Sequence, residues 1–266
     1  MFRYLTSSNL KTSLTSLSLA CLLFSCQPAE QQAPEQETTD PNPAAEGFNA
    51  AASDPVAIAW ADATMKAMGG RDAWDQTRYL SWDFFGRRQL WWDRYQNRVR
   101  IEVPADSAIY LVNTSSMDGR VRIQGREVAD QDSLTTLLQR AKSMWINDSY
   151  WLVMPFKLKD SGVTLRYKGE GTTLSGAPAQ VLSLTFEDVG DTPDNKYEVY
   201  ITKKDSLVKQ WAYFKNASQD SASIIWPWDN YKVYGNILLS SDRSDGKGPH
   251  DVVVHRELSD SVFTVF

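Results

Sequence analysis

The chain has 266 residues, 28 of them Lys or Arg against 33 Asp or Glu, for a formal charge of −5. That balance supplies no basic footprint for nucleic acid and no electrostatic grip on an anionic membrane, so binding has to come from apolar or aromatic contact. Its two cysteines, Cys21 and Cys26, both lie in the first 26 residues, which leaves the rest of the chain without disulfides or thiolate chemistry.

The start of the chain has the layout of a lipoprotein signal. Arg3 and Lys11 precede a short apolar and hydroxyl-rich stretch that ends in Leu23-Phe24-Ser25-Cys26, matching the basic start, the short apolar middle and the small residue at the cut of a secretory leader. Thr15, Ser16 and Ser18 interrupt the stretch, which is too short to span a bilayer that asks for about 20 mainly apolar residues. Residues 1–25 read as the leader and Cys26 as the acylated residue. Cys21 is a rival acceptor, but Ser18 stands where a leucine is preferred. Two or three acyl chains hold a membrane more firmly than the marginal grip of one. Gln27 follows the cysteine, where some lipoproteins kept at the inner membrane carry an aspartate, so the expected location is the outer membrane.

Residues 26–53 are dominated by Gln, Glu, Pro, Ala and Thr, too poor in large apolar groups to offset ordering entropy, and are predicted to form a disordered tether. The folded domain then occupies residues 54–266, a size suited to a single β-rich domain. Its first element is a helix over residues 54–68, with Asp54 as N-cap, Pro55 in the first turn and Gly69-Gly70 as the left-handed stop. Ala57, Trp60, Ala61, Thr64, Met65 and Met68 form its apolar stripe. A short helix over residues 71–77 would bury Trp74.

Alternating patterns follow. Leu80, Trp82 and Phe84, then Leu90 and Trp92, then Val99, Ile101 and Val103 predict half-buried antiparallel strands, extended by residues 109–112 and 120–124 around an Asp118-Gly119 turn. Leu134, Leu137, Leu138, Ala141 and Trp145 recur at helical spacing, with Asp130 or Asp132 as the cap. Strands resume over residues 163–168, 180–187, 197–202, 207–216, 231–240, 251–258 and 261–266. The pattern predicts a mainly β (α+β) fold: a single strongly curved antiparallel sheet, a half-barrel, lidded by helices.

Met68-Gly69-Gly70, Asp72-Ala73-Trp74, Tyr79-Leu80-Ser81-Trp82 and the run from Asn147-Asp148-Ser149-Tyr150-Trp151 to Leu152-Val153-Met154-Pro155-Phe156 resemble a family of Gram-negative envelope lipoproteins that is itself similar to the LolA/LolB-like lipoprotein carriers. The resemblance spans most of residues 54–266. It implies an incomplete barrel with a helical lid, holding the acyl chains of lipidated proteins between sheet and lid.

Motifs for chemistry are sparse. His250 and His255 have no third and fourth ligand in their pattern for zinc, no Gly-x-Ser-x-Gly elbow occurs, and Gly169-Glu170-Gly171 lacks the lysine of a phosphate loop. Glu187, Asp188, Asp191 and Asp194 read as a solvated acidic turn. The expectation is a non-enzymatic protein without a cofactor. Aromatic residues are the unusual enrichment, with ten tryptophans. They build either an apolar cavity or a packed core. The candidate cavity residues are Trp60, Met65, Trp82, Phe84, Leu90, Trp92, Leu138, Trp145, Trp151 and Phe156, and the expected occupant is an acyl chain or lipid. Trp226 and Trp228, in what reads as a surface loop, are a separate candidate for stacking on sugar rings of the cell wall. A third reading is a regulatory protein that binds a partner through its sheet edge.

Overall fold

The computed structural model describes residues 40–187 and 190–266. The leader, Cys26, the first part of the tether and Asp188 lie outside the described residues.

The elements in chain order are helix α1 (Pro55–Ala67), α2 (Arg71–Gln76), strands β1 (Tyr79–Phe84), β2 (Arg88–Asp93), β3 (Arg98–Val103), β4 (Ala108–Asn113), β5 (Gly119–Ile123) and β6 (Arg126–Glu127), and helix α3 (Gln131–Val153). Then come β7 (Val163–Thr172), β8 (Pro178–Phe186), β9 (Lys196–Thr202), β10 (Val208–Phe214), β11 (Ile224–Pro227), β12 (Tyr231–Tyr234), β13 (Ile237–Ser240), β14 (Pro249–His255) and α4 (Ser261–Thr264). The architecture is mainly β, antiparallel and open, with helices packed on it, as the alternation predicts. Its hydrogen bonding is divided, however, where one continuous sheet was expected. Seven strands pair in the order β14-β1-β2-β3-β4-β5-β6, five in the order β11-β10-β9-β8-β7, and β12 and β13 form a separate hairpin. The divide falls at α3, which takes the chain from β6 to β7 and breaks the run of hairpin neighbours.

Helix α1 starts and stops where its sequence says, although the cap works differently. The Asp54 carboxylate bonds no amide of its own helix. It accepts from the Tyr167 amide (2.8 Å) and the Arg166 guanidinium (2.9 Å), tying the helix start to β7. These two bonds hold its pKa below the usual aspartate value. At the other end Gly69 has φ +116°, and a Cβ there would meet the Asn236 carbonyl oxygen at 2.4 Å. Only glycine lets the β12–β13 turn approach this closely. The Leu238 amide donates to the Met68 carbonyl at 2.9 Å and completes the junction.

Helix α3 is capped by Asp130, whose side chain accepts from the Ser133 amide at 2.9 Å. It runs on to Val153, well past the predicted end at Trp145. Asp148 and Ser149 break the apolar stripe in the sequence, yet both are buried. Arg88 of β2 makes this tolerable: its Nε and Nη2 donate to the two Asp148 oxygens at 2.6 and 2.7 Å. Gly119 seats the front half of the helix, since a Cβ there would lie 2.6 Å from Leu138 Cδ2.

Two apolar clusters result. The first fills the space between the seven-stranded sheet and α3 with Leu80, Trp82, Phe84, Leu90, Val99, Ile101, Tyr110, Val121 and Leu138. The second lies on the five-stranded sheet, with Leu165, Leu182, Leu184, Val199, Ile201 and Trp211 packed against Ala57 and Ala61 of α1 and against Met154 and Leu158. Trp151 touches both.

Three further expectations are corrected. Residues 40–53, assigned to the tether, are hydrogen-bonded to the domain: the Ala45 amide to the Lys159 carbonyl (2.9 Å), the Asn49 amide to the Val163 carbonyl (3.0 Å), and Asn42 Nδ2 to Asp62 (2.7 Å). Composition missed this because the segment docks mostly through its backbone and a few polar side chains, with Phe48 its one large apolar contact on the second cluster. Residues 231–240 form a hairpin around Gly235-Asn236 instead of one strand. Residues 261–266 form the turn of helix α4 and two extended residues. Arg100 and Arg120 satisfy the carbonyls of Val262, Thr264 and Val265 from the sheet face, so no strand partner is needed. Among the described residues no helix is long and apolar enough to cross a membrane.

Candidate functional site

A cavity of about 530 Å³ lies along the C-terminal half of α3, where the two apolar clusters meet. Its size is that of small-molecule sites, which run from about 300 to 1,000 Å³. Helix α3 and the turn after it contribute Trp145, Ile146, Asn147, Ser149, Tyr150, Trp151, Met154 and Lys157; Trp92 comes from β2, Phe186 from β8, Tyr197 from β9 and Trp211 from β10. Trp228 and the segment Gly190-Asp191-Thr192 close the wall.

The strand geometry explains why aromatic rings converge here. Side chains alternate across a sheet, and directly paired residues share a face. Val199 pairs with Trp211 and Trp211 with Trp226, while Leu184 pairs with Tyr197 and Tyr197 with Tyr213. One face of the five-stranded sheet therefore presents a row of rings. Trp151 meets them from the helix, edge-on to Trp211 at 4.9 Å between ring centres and tilted against Trp226 at 4.9 Å. On the other side Trp92 and Trp145 meet edge-on at 5.3 Å. The space left between these rings is the cavity.

Burial governs the titration of the wall. It pushes the Tyr150 hydroxyl well up, and moves Tyr197 up to about 12 despite a bond with Asn195 that works the other way. Behind the wall, burial raises the Asp148 pKa although Arg88 and Asn147 bond to the carboxylate. Burial also brings the Arg243 guanidinium down to about 9, leaving it charged at neutral pH. At the cavity edge Lys157 is paired with Asp160.

The candidate residues named from the sequence divide into groups. Trp92, Trp145 and Trp151 line the cavity. Trp82, Phe84, Leu90 and Leu138 sit in the first cluster, packed between sheet and helix and absent from the cavity wall. Phe156 is stacked on Trp74 at 4.3 Å and 10°. Met65 shares with it a depression of about 10 Å³, room for a water at most. Trp60 is half-buried against the second cluster. Trp226 lies in β11, not in a loop, and Trp228 is 2% exposed and lines the cavity, so the pair forms no surface platform for sugars. The Arg243 guanidinium covers the Trp228 ring at 3.5 Å.

Tyr150, Met154, Phe186, Tyr197 and Trp211 are wall residues that the sequence reading did not select. Tyr197 was within reach, because it alternates with Val199 and Ile201; the others become wall residues only through packing between elements distant in the chain. The two histidines have separate partners, His250 with Asp242 (3.1 Å) and His255 with Ser81 (2.7 Å). Burial lowers the His255 pKa and keeps its ring neutral near pH 7. Asp191 is in the cavity wall, while Glu187 accepts from Asn49 at 3.3 Å.

No family model matches this chain. None of the curated proteins matches it either. Among solved structures it is similar to a DUF1329 family protein from Desulfovibrio piger ATCC 29098, with a TM-score of 0.43 and 14% identity, over 79% of this chain and 98% of that one. It is also similar to a domain from Vibrio parahaemolyticus described as an outer membrane lipoprotein-sorting protein domain, with a TM-score of 0.34 and 10% identity, over 70% of this chain and 87% of that one. A third is MucB in complex with MucA(peri), with a TM-score of 0.24 and 18% identity, over 62% of this chain and 51% of that one. At these scores and identities no functional property passes from those proteins to this one.

Proposed function

We propose that the chain is an envelope lipoprotein, acylated at Cys26 and held at the outer membrane, whose domain binds a hydrophobic ligand such as an acyl chain or lipid. The observation that supports this reading is the cavity of about 530 Å³ whose wall includes eight aromatic residues. An apolar molecule placed there leaves water at about 25 cal/mol per Å² of buried apolar area, and neither a covalent step nor a cofactor is required. The leader ending at Cys26 supports the anchor.

The test is a titration of the full-length protein with a fluorescent fatty acid, read by energy transfer from the cavity tryptophans. Saturable binding that weakens at least tenfold in Trp145→Ala is expected. Absence of binding, together with native mass spectra showing only bare protein, overturns the reading. Labelling of the expressed protein with radioactive palmitate, lost in Cys26→Ser, tests the anchor independently.

A further inference from the structure

Ten buried side-chain polar atoms among the described residues have no hydrogen-bond partner, and half of them belong to the cavity wall. They are the indole N–H groups of Trp92, Trp145, Trp211 and Trp228 and the Tyr150 hydroxyl. An indole N–H is donor only, and a phenol hydroxyl donates readily. Each unsatisfied buried donor costs about 1 to 3 kcal/mol. A saturated chain accepts no hydrogen bonds and would leave every one of them unsatisfied.

A buried cation lies behind the same wall. The Arg243 guanidinium stacks on Trp228, and its Nη2 donates to the Trp151 carbonyl at 2.6 Å and its Nε to Ser240 Oγ at 2.8 Å. Its Nη1 is another of the unpartnered atoms, and among the described residues no carboxylate forms an ion pair with it. The Asp229 carboxylate, held on Ser244, offsets this charge from a distance without bonding it. A buried positive charge short of a bonded counter-ion attracts electron-rich oxygen.

We propose that the cavity takes an apolar ligand that carries carbonyl oxygens on its buried part, seated among the tryptophans, and not a saturated chain inserted methyl end first. The inference rests on the hydrophobic-ligand reading and narrows it. The wall donors are covered in this structure, so the oxygens reach them by pressing between the rings or by a small turn of an indole. Planar ligands gain in addition from stacking on ring faces.

Two probes with one ring skeleton isolate the carbonyl contribution: 2-methyl-1,4-naphthoquinone and 2-methylnaphthalene, titrated calorimetrically into the full-length protein. The quinone is expected to bind at least tenfold more tightly. Tyr150→Phe, which removes one hydroxyl and keeps the ring, should weaken quinone binding roughly fivefold, the worth of about one hydrogen bond, and leave 2-methylnaphthalene unchanged. Trp228→Phe gives a second donor deletion should Tyr150→Phe unfold. Equal affinities for the two probes overturn the carbonyl inference and leave the hydrophobic-ligand reading standing. So does failure of both probes when the fluorescent fatty acid binds. Failure of all three ligands removes the reading and the inference together.

Discussion

The two halves of the interior are both built on Leu, Val and Ile, yet end in different states. Between the seven-stranded sheet and the front of α3, aliphatic residues such as Leu80, Leu90, Val99, Ile101 and Val121 pack with Trp82, Phe84 and Tyr110, and none of these residues lines the cavity. Along the back of α3, Trp151 meets Trp211 edge-on, Tyr197 lies tilted at 43° to Trp211, and these rings line an open cavity. Rings meet edge-on in both halves, Phe84 with Phe85 in the first and Trp151 with Trp211 in the second. The difference shows that aromatic content alone does not decide between core and cavity.

If that is right, equal truncations should cost unequal amounts. Trp82→Ala empties a filled site in the first cluster, where the ring is 2% exposed, and is expected to lower stability by about 4 kcal/mol in urea unfolding. Trp145→Ala enlarges a space that already exists and should cost no more than about 1.5 kcal/mol, while the ligand affinity falls. Equal losses would break the comparison.

Between those two lies Arg88→Met. It leaves the fully covered Asp148 carboxylate without its guanidinium partner and is expected to cost about 3 kcal/mol. Asp148→Asn placed on top of it should recover part of that loss, because the uncompensated charge is then gone. The same double variant sharpens the comparison, since the pair pins α3 to the seven-stranded sheet just where the cavity begins.

Helix α3 also reports on its own front end. Asp130→Ala removes the bond to the Ser133 amide and should cost about 1 kcal/mol with the cavity affinity unchanged.

The smallest effect concerns acid. Burial works against the charge on Asp93, but the bidentate bond from Arg78 and the bond from Arg98 outweigh it and hold its pKa below the ordinary value of 3.8. Its contribution to stability is therefore complete above that value and is lost as the pH falls through the lower folded one. Unfolding midpoints measured from pH 5 downward should drop below about pH 4, with a shallower fall in Asp93→Asn. Asp93 belongs to the filled half, so ligand binding in the cavity should not change this acid limb.

The local rules read from the chain hold where a residue's neighbours in sequence are also its neighbours in space. Pro55, Gly69 and Gly70 bound α1, Asp130 caps α3, and the alternation in β1 to β3 gives paired strands in the expected order. The exceptions have long-range causes. Asp148 looks like the end of a helix until Arg88 arrives from a strand sixty positions away. Residues 261–266 look like a strand until arginines from the sheet face take their carbonyls. Trp226 and Trp228 look like a surface loop until β11 joins the edge of its sheet and Arg243 covers the second ring.

What the sequence by itself determined is therefore the class of fold, the limits of α1, the start of α3 and the wealth of aromatic side chains, because these follow from spacing and backbone preference within a few residues. Whether those rings meet in solid contact or stand apart around a cavity was decided only by tertiary structure. Trp92, Trp145, Trp151, Tyr197 and Trp211 come from β2, α3, β9 and β10, elements far apart in the chain, so the space between their rings exists only once those elements have packed.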